Sequence, residues 1–95
     1  MTSKQRAMLR SMANTMDTIL YIGKDGITPA TIQSASAALE ARELIKGCVQ
    51  RECPLSAREA LDELTRALGA EGVQCIGRRF VMYRQSTEHP KIVLP

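Results

Sequence analysis

The chain predicts an α/β fold of the α+β kind, a two-layer sandwich with elements in the order α-β-α-β-α-β-β and a mixed four-stranded sheet. Three observations carry that expectation. Apolar residues along the 95 positions change from helical to strand-like spacing and back, and end in two short β-prone runs separated by a glycine turn. Capping-box spacing marks two helix starts, Thr2 with Gln5 and Ser56 with Glu59. Gly23-Lys24-Asp25-Gly26 stands between an apolar run and Thr28-Pro29, a tight corner between strand and helix.

The first helix is expected from Ser3 to Asn14, with Met8, Leu9, Met12, Ala13 and Met16 along its buried stripe. Arg6 and Arg10 are four apart and share a face away from that stripe. Ile19–Ile22 reads as a buried strand. After the corner, Thr28 suits the N-cap and Pro29 the first helical position, where a missing N–H costs nothing. That helix runs to about Ala41, with Ile32, Ala35 and Leu39 inward. Glu43–Gln50 reads as the second strand, in which Gly47 marks a weak point or a bulge. A third helix follows Ser56, with Leu55 and Ala60 placed as a hydrophobic staple, and runs to Leu68 before the stop at Gly69. Val73–Ile76 and Phe80–Tyr83 form a hairpin around Gly77-Arg78-Arg79, of type II′ because glycine takes the first central place. Arg78 then sits at its tip and Arg79 beside it. The tail from Gln85 to Pro95 is apolar enough to lie along the domain. The first crossover predicts a right-handed parallel pair and the hairpin an antiparallel one.

Length and composition fit one domain spanning residues 1–95: hydrophobic residues are 44% and charged residues 24%. No apolar run approaches the ~20 residues that cross a bilayer. The polar, basic start has no long apolar core of a leader, so the expectation is a cytoplasmic protein with no membrane partner. Cys48, Cys53 and Cys75 form neither a disulfide framework nor a metal site, and are expected as reduced, mostly buried small hydrophobes. Net charge is +3, but it is uneven. Residues 40–71 hold five basic and seven acidic residues, and the rest of the chain holds eight and three. A basic face built from the N-terminal segment and the C-terminal strands suits a polyanion.

Catalytic chemistry has no support. His89 is the single histidine and lies in the polar tail, without a nucleophile or base partner. Glu59, Asp62 and Glu63 lie beside Arg58 and Arg66 as a solvated helix face. Walker and dinucleotide glycine loops are absent, so no cofactor and no small-molecule substrate are implied. The aromatics, Tyr21, Phe80 and Tyr83, are too few for a broad base-stacking platform. The glycine-flanked corner therefore carries the expectation: backbone N–H groups at Gly23–Gly26 and the following helix start can approach phosphates, and Lys24 adds a point charge. A GxxG loop clamps nucleic-acid backbone in this way in KH domains.

The residues also carry a family resemblance. Ser3-Lys4-Gln5-Arg6 opens the chain, followed by Ile22-Gly23-Lys24-Asp25-Gly26-Ile27-Thr28 and by Ala38-Leu39-Glu40-Ala41-Arg42-Glu43-Leu44-Ile45-Lys46. Val73-Gln74-Cys75-Ile76-Gly77-Arg78-Arg79-Phe80-Val81-Met82-Tyr83-Arg84 and Pro90-Lys91-Ile92-Val93-Leu94-Pro95 complete it. Together, in this order and spacing, they resemble a stand-alone CRM domain of the YhbY type. The resemblance implies an RNA-binding domain similar in fold to the C-terminal domain of translation initiation factor three. It implies association with ribosomal RNA in large-subunit precursors, as for single-domain bacterial members. Plant organellar relatives act in group II intron splicing.

The implied RNA-binding residues are Gly23, Lys24, Asp25, Gly26 and Thr28, with Lys4, Arg6, Arg10, Arg78, Arg79 and Arg84 extending the contact. Asp25 departs from a loop meant for phosphates. Gly47 and Cys48 stand where relatives often carry valine and lysine, which would weaken an electrostatic face. The expected protein is a monomeric, non-enzymatic RNA-binding factor for ribosome assembly. The alternatives are a protein–protein adaptor on ribosomal particles, with the glycines serving turn geometry alone, and an intron-RNA splicing factor.

Overall fold

Seven elements alternate along the chain in the computed structural model, which describes all residues from Met1 to Pro95. They are α1 (Ser3–Ala13), β1 (Thr18–Ile22), α2 (Pro29–Arg42), β2 (Leu44–Val49), α3 (Ala57–Leu68), β3 (Glu71–Ile76) and β4 (Arg79–Tyr83). The helix starts follow local chemistry. Thr2, Thr28 and Ser56 each accept a hydrogen bond from the backbone N–H three residues on, and the partner side chain returns one. In α2 that partner is Thr31, not the usual Glu or Gln. α3 stops at Gly69, with φ 63.

The strands form one sheet in the order β1-β2-β4-β3. β1 and β2 are parallel, and the other pairs are antiparallel. This is the expected mixed four-stranded sheet in the expected element order. The turn between β3 and β4 is the two-residue loop Gly77-Arg78, in which only Gly77 has positive φ, as a type II′ turn requires.

Successive strand residues face opposite sides of a sheet, and both sides are covered. Phe80 and Met82 join Leu20, Ile22, Ile45 and Val49 beneath Ala35 and Leu39 of α2 and Ala60, Leu61 and Leu64 of α3. Val81 and Tyr83 face the other way, onto Leu9 and Ala13 of α1, with Leu44 and Val73. Ile92 and Leu94 of the tail pack on this second core, so the tail lies along the domain. The sandwich of sheet with α2 and α3 thus gains a partial third layer from α1 and the tail.

Gly47 is not a bulge. It pairs in register with Phe80, and a Cβ there would sit 2.4 Å from the Phe80 ring. The glycine lets that ring lie on the β2 backbone. The irregularity between β1 and β2 falls in β1, between Thr18 and Leu20.

Candidate functional site

Three connections meet at one end of the sheet. β1 and β2 finish side by side, with Ile22 opposite Val49, while Ile76 and Cys48 both pair with Arg79. The Gly23–Gly26 corner, the segment from Gln50 to Leu55 and the Gly77-Arg78 tip are therefore neighbours. Two backbone bonds lock them: Gln50 N–H to Ile22 O (2.8 Å) and Val49 N–H to Arg78 O (2.9 Å). The N-termini of α2 and α3 open onto the same end.

The corner is a closed turn. The Gly26 N–H donates to Gly23 O at 3.0 Å. Asp25 keeps negative φ and Gly26 takes φ 65, the pattern of a type I turn with glycine in fourth place. The Gly26 N–H is thus turned inward, contrary to the expectation that this amide meets phosphate. The central residues, Lys24 and Asp25, are exposed. Behind them lies a shallow cleft of about 380 Å³ lined by Tyr21, Gly23–Gly26, Thr28, Thr31, Gln50 and Glu52. Asp25 and Glu52 line it together with Lys24, so the cleft alone is not a strong anion site. Thr28 lines it while its hydroxyl serves the α2 cap.

The other expected residues separate into groups. Arg78 and Arg79 are exposed at the loop end. Arg6 is half-buried and its Nη1 donates to Gly72 O, which ties α1 to the far end of β3. Lys4 lies two residues earlier on α1, exposed and away from the loop end; Arg10 is half-buried between. Arg84 is structural in geometry: Nη1 donates to Leu68 O (3.1 Å), and Nη2 donates to Ser36 O and Oγ (3.1 and 3.2 Å). A cation on the last carbonyls of α3 is favourable there, and the side chain bridges α2 to α3 instead of facing solvent.

Some residues at this end were not found from sequence. Arg51 is exposed beside Gln50; further back, Lys46 lies half-buried on the α1 side of β2, opposite Thr18 and Val81. Only the strand register brings Lys46 into one hollow with Arg79 and sets Arg51 at the same end of the sheet as the corner. The three cysteines, expected as mostly buried, are free and half-buried, because Cys48 faces the part of the sheet beyond α1, Cys53 lies in a loop and Cys75 on an edge strand.

At the opposite end two carboxylates hold the tail. Glu43 is fully buried and accepts from the N–H groups of Ser86 (2.8 Å), Lys91 (2.7 Å) and Ile92 (2.8 Å). Burial pushes its carboxyl up, but those donors and the Lys91 charge outweigh it and hold the group below its ordinary range. Glu40 accepts from Ser86 and Thr87, and the Ser86 hydroxyl, then the Thr87 N–H, bring it down to about 2. The Tyr83 hydroxyl is pushed up by burial and by the Glu43 charge.

Three helices on a mixed four-stranded sheet, with a GxxG turn entering the second helix and an arginine-tipped hairpin alongside, define a class of small α+β domains. Residues 1–84 match the CRS1 / YhbY (CRM) domain, and the chain belongs to that family. It is 37% identical over 95 residues to Probable RNA-binding protein YqeI of Bacillus subtilis, covering all of this chain and 99% of the relative. It is 30% identical over 95 residues to a Haemophilus influenzae protein named RNA-binding protein, covering 95% of that relative. The solution structure of protein SAV1595 from Staphylococcus aureus superposes with a TM-score of 0.82 at 41% identity, over the whole of this chain and 99% of that one. No helix is long and apolar enough to cross a membrane.

Proposed function

We propose that this protein is a non-enzymatic RNA-binding factor that engages ribosomal RNA of large-subunit precursors through the loop end of its sheet, and so assists ribosome assembly in the cytoplasm. The carrying observation is that the GxxG turn with Lys24, the segment with Arg51 and the hairpin tip with Arg78 and Arg79 all lie at one end of the sheet, each basic residue exposed. Full-length similarity to two relatives named for RNA binding supports the ligand class. Asp25 and Glu52 oppose Lys24 in the cleft, so the arginines supply most of the attraction to phosphate. The exposed N–H groups of the turn's central residues add hydrogen bonds to the backbone.

A Lys24→Ala, Arg78→Ala double variant tests this by filter binding to precursor ribosomal RNA across a salt series. Binding is expected to weaken at low salt, and the log–log salt slope to become shallower by about 0.7–0.9 per lost phosphate contact. Unchanged affinity and slope would overturn the loop-end reading. Cross-linking in purified large-subunit precursors separates it from a protein adaptor, which would cross-link to protein and leave the RNA unprotected.

A further inference from the structure

Beyond the loop, one row of side chains crosses the whole sheet on the face that α1 leaves open. Tyr21 pairs with Cys48, Cys48 with Arg79, and Arg79 with Ile76. Paired residues share a face, and the neighbours Leu20, Ile22, Val49, Phe80 and Cys75 all pack on the opposite side. α1 stops at Ala13 and leaves this row uncovered. Tyr21 is 58% and Ile76 66% exposed, an aromatic and an aliphatic group each more than half open to solvent. The Tyr21 hydroxyl donates to Thr18 O at 3.3 Å, which draws the ring back along β1.

Charge on this face differs from the cleft. A hollow of about 220 Å³ beside the row is lined by Lys46, Arg79, Asn14 and Gln74 over Ile76, Phe80 and Val81. It holds two cations and two amides and no carboxylate, whereas the cleft sets two carboxylates against one lysine. Tyr21 lines the cleft as well, so the two surfaces are continuous through its ring. Adjacent strands are about 4.8 Å apart, which puts Arg79 about 10 Å across the sheet from Tyr21.

We infer that this open sheet face is a second RNA contact, on which one unpaired base stacks against Tyr21 while the strand continues over Lys46 and Arg79. The inference rests on the RNA-binding reading and adds the nucleotide state: single-stranded, not duplex. An aromatic face accepts any base, the cations hold the backbone, and the Asn14 and Gln74 amides can meet a base edge. A duplex hides its bases and could not use Tyr21.

The protein has no tryptophan and only two tyrosines, of which Tyr83 is buried, so tyrosine emission can be assigned. Titration with a short single-stranded RNA of mixed sequence is expected to quench the Tyr21 component, and a duplex of the same sequence to leave it. Tyr21→Ala is expected to bind the single strand about tenfold more weakly with an unchanged salt slope, since stacking releases no counterions. Tyr21→Phe restores affinity and has lost the signal. Binding with a Lys24- and Arg78-dependent salt slope, but with no quenching and no loss in Tyr21→Ala, would overturn this inference and leave the RNA reading standing. Failure of the wild-type protein to bind either RNA would overturn the RNA reading itself, and this inference with it.

Discussion

Arg84 shows how the residue type misleads and the partners decide. A basic residue closing the last strand reads as part of a polyanion face, yet its guanidinium holds the end of α3 to the middle of α2, with Nε buried and unpartnered. Arg84→Ala is expected to lower folding stability by roughly 2–3 kcal/mol, the scale of lost charge-assisted bonds, while RNA affinity per folded molecule stays within twofold. Urea denaturation and binding to the same RNA check both halves. Gly47 makes the complementary point. It reads as a lost contact residue on a binding face, but it lies under the Phe80 ring in the α2/α3 core. Gly47→Ala forces that ring aside and is expected to cost about 1–3 kcal/mol. A Gly47→Ala, Phe80→Leu pair should cost less than the sum of its singles, because the two residues compete for one volume. Additivity of the pair in denaturation would remove the steric explanation.

Element by element, what was legible was local. Capping boxes place both members within three residues, so the starts of α1 and α3 stood in the sequence, as did the Gly69 stop and the Gly77 turn. The box at α2 was missed because its return partner is Thr31. The start of β3 at Glu71 was missed because Gly72 has little strand propensity and gains its place from pairing with β4. Nor was the clamp on the tail visible, since Glu40 and Glu43 meet donors more than forty residues away and nothing nearby marks a glutamate for burial. Glu43 even takes φ 66 with ψ −43, a sparsely populated backbone costing about 1–3 kcal/mol, against which its three N–H partners act. This clamp has a pH signature. Glu40 falls from 4.5 to about 2 on folding and Glu43 also shifts down, so the unfolded chain binds more protons between those values. The Glu40 stabilisation is complete above pH 4.5 and is lost as pH falls through about 2, and that of Glu43 is lost in the same direction. Thermal melts from pH 2 to 6 should show Tm falling over that window. Glu40→Gln should lower Tm at neutral pH and flatten the fall, and parallel curves for variant and wild type would rule out the clamp as its source.

At the scale of the whole molecule the two ends of the sheet do different work. The far end gathers the carboxylate clamp, the tail and the C-termini of α2 and α3, and its arginines, Arg6 and Arg84, bind carbonyl oxygens. The loop end gathers exposed turns whose basic side chains have no acidic partner within ion-pair distance; the one ion pair in the structure, Arg58–Asp62 at 3.8 Å, lies on the exposed face of α3 and adds little to stability. A basic face running from Lys4 to the hairpin was the expectation from charge along the chain. The topology instead separates Lys4 from Arg78 by the length of β3, because α1 is anchored at Gly72 and the hairpin turns at Gly77. The consequence is an asymmetric salt response. Single alanine variants of Arg51, Arg78 and Arg79 are each expected to reduce the slope of log affinity against log salt by about 0.7–0.9, the effect of one neutralised phosphate. Lys4→Ala and Arg42→Ala, which change the same net charge at the far end, are expected to leave the slope unchanged and shift affinity by less than twofold, because exposed charges beyond a Debye length of about 8 Å are screened at physiological salt. Fluorescence anisotropy with labelled ribosomal RNA fragments between 50 and 200 mM salt, on the order of the range over which such slopes are read, distinguishes the two patterns. Equal effects from all five variants would mean that net charge, not the convergence of three turns at one end of the sheet, attracts the RNA.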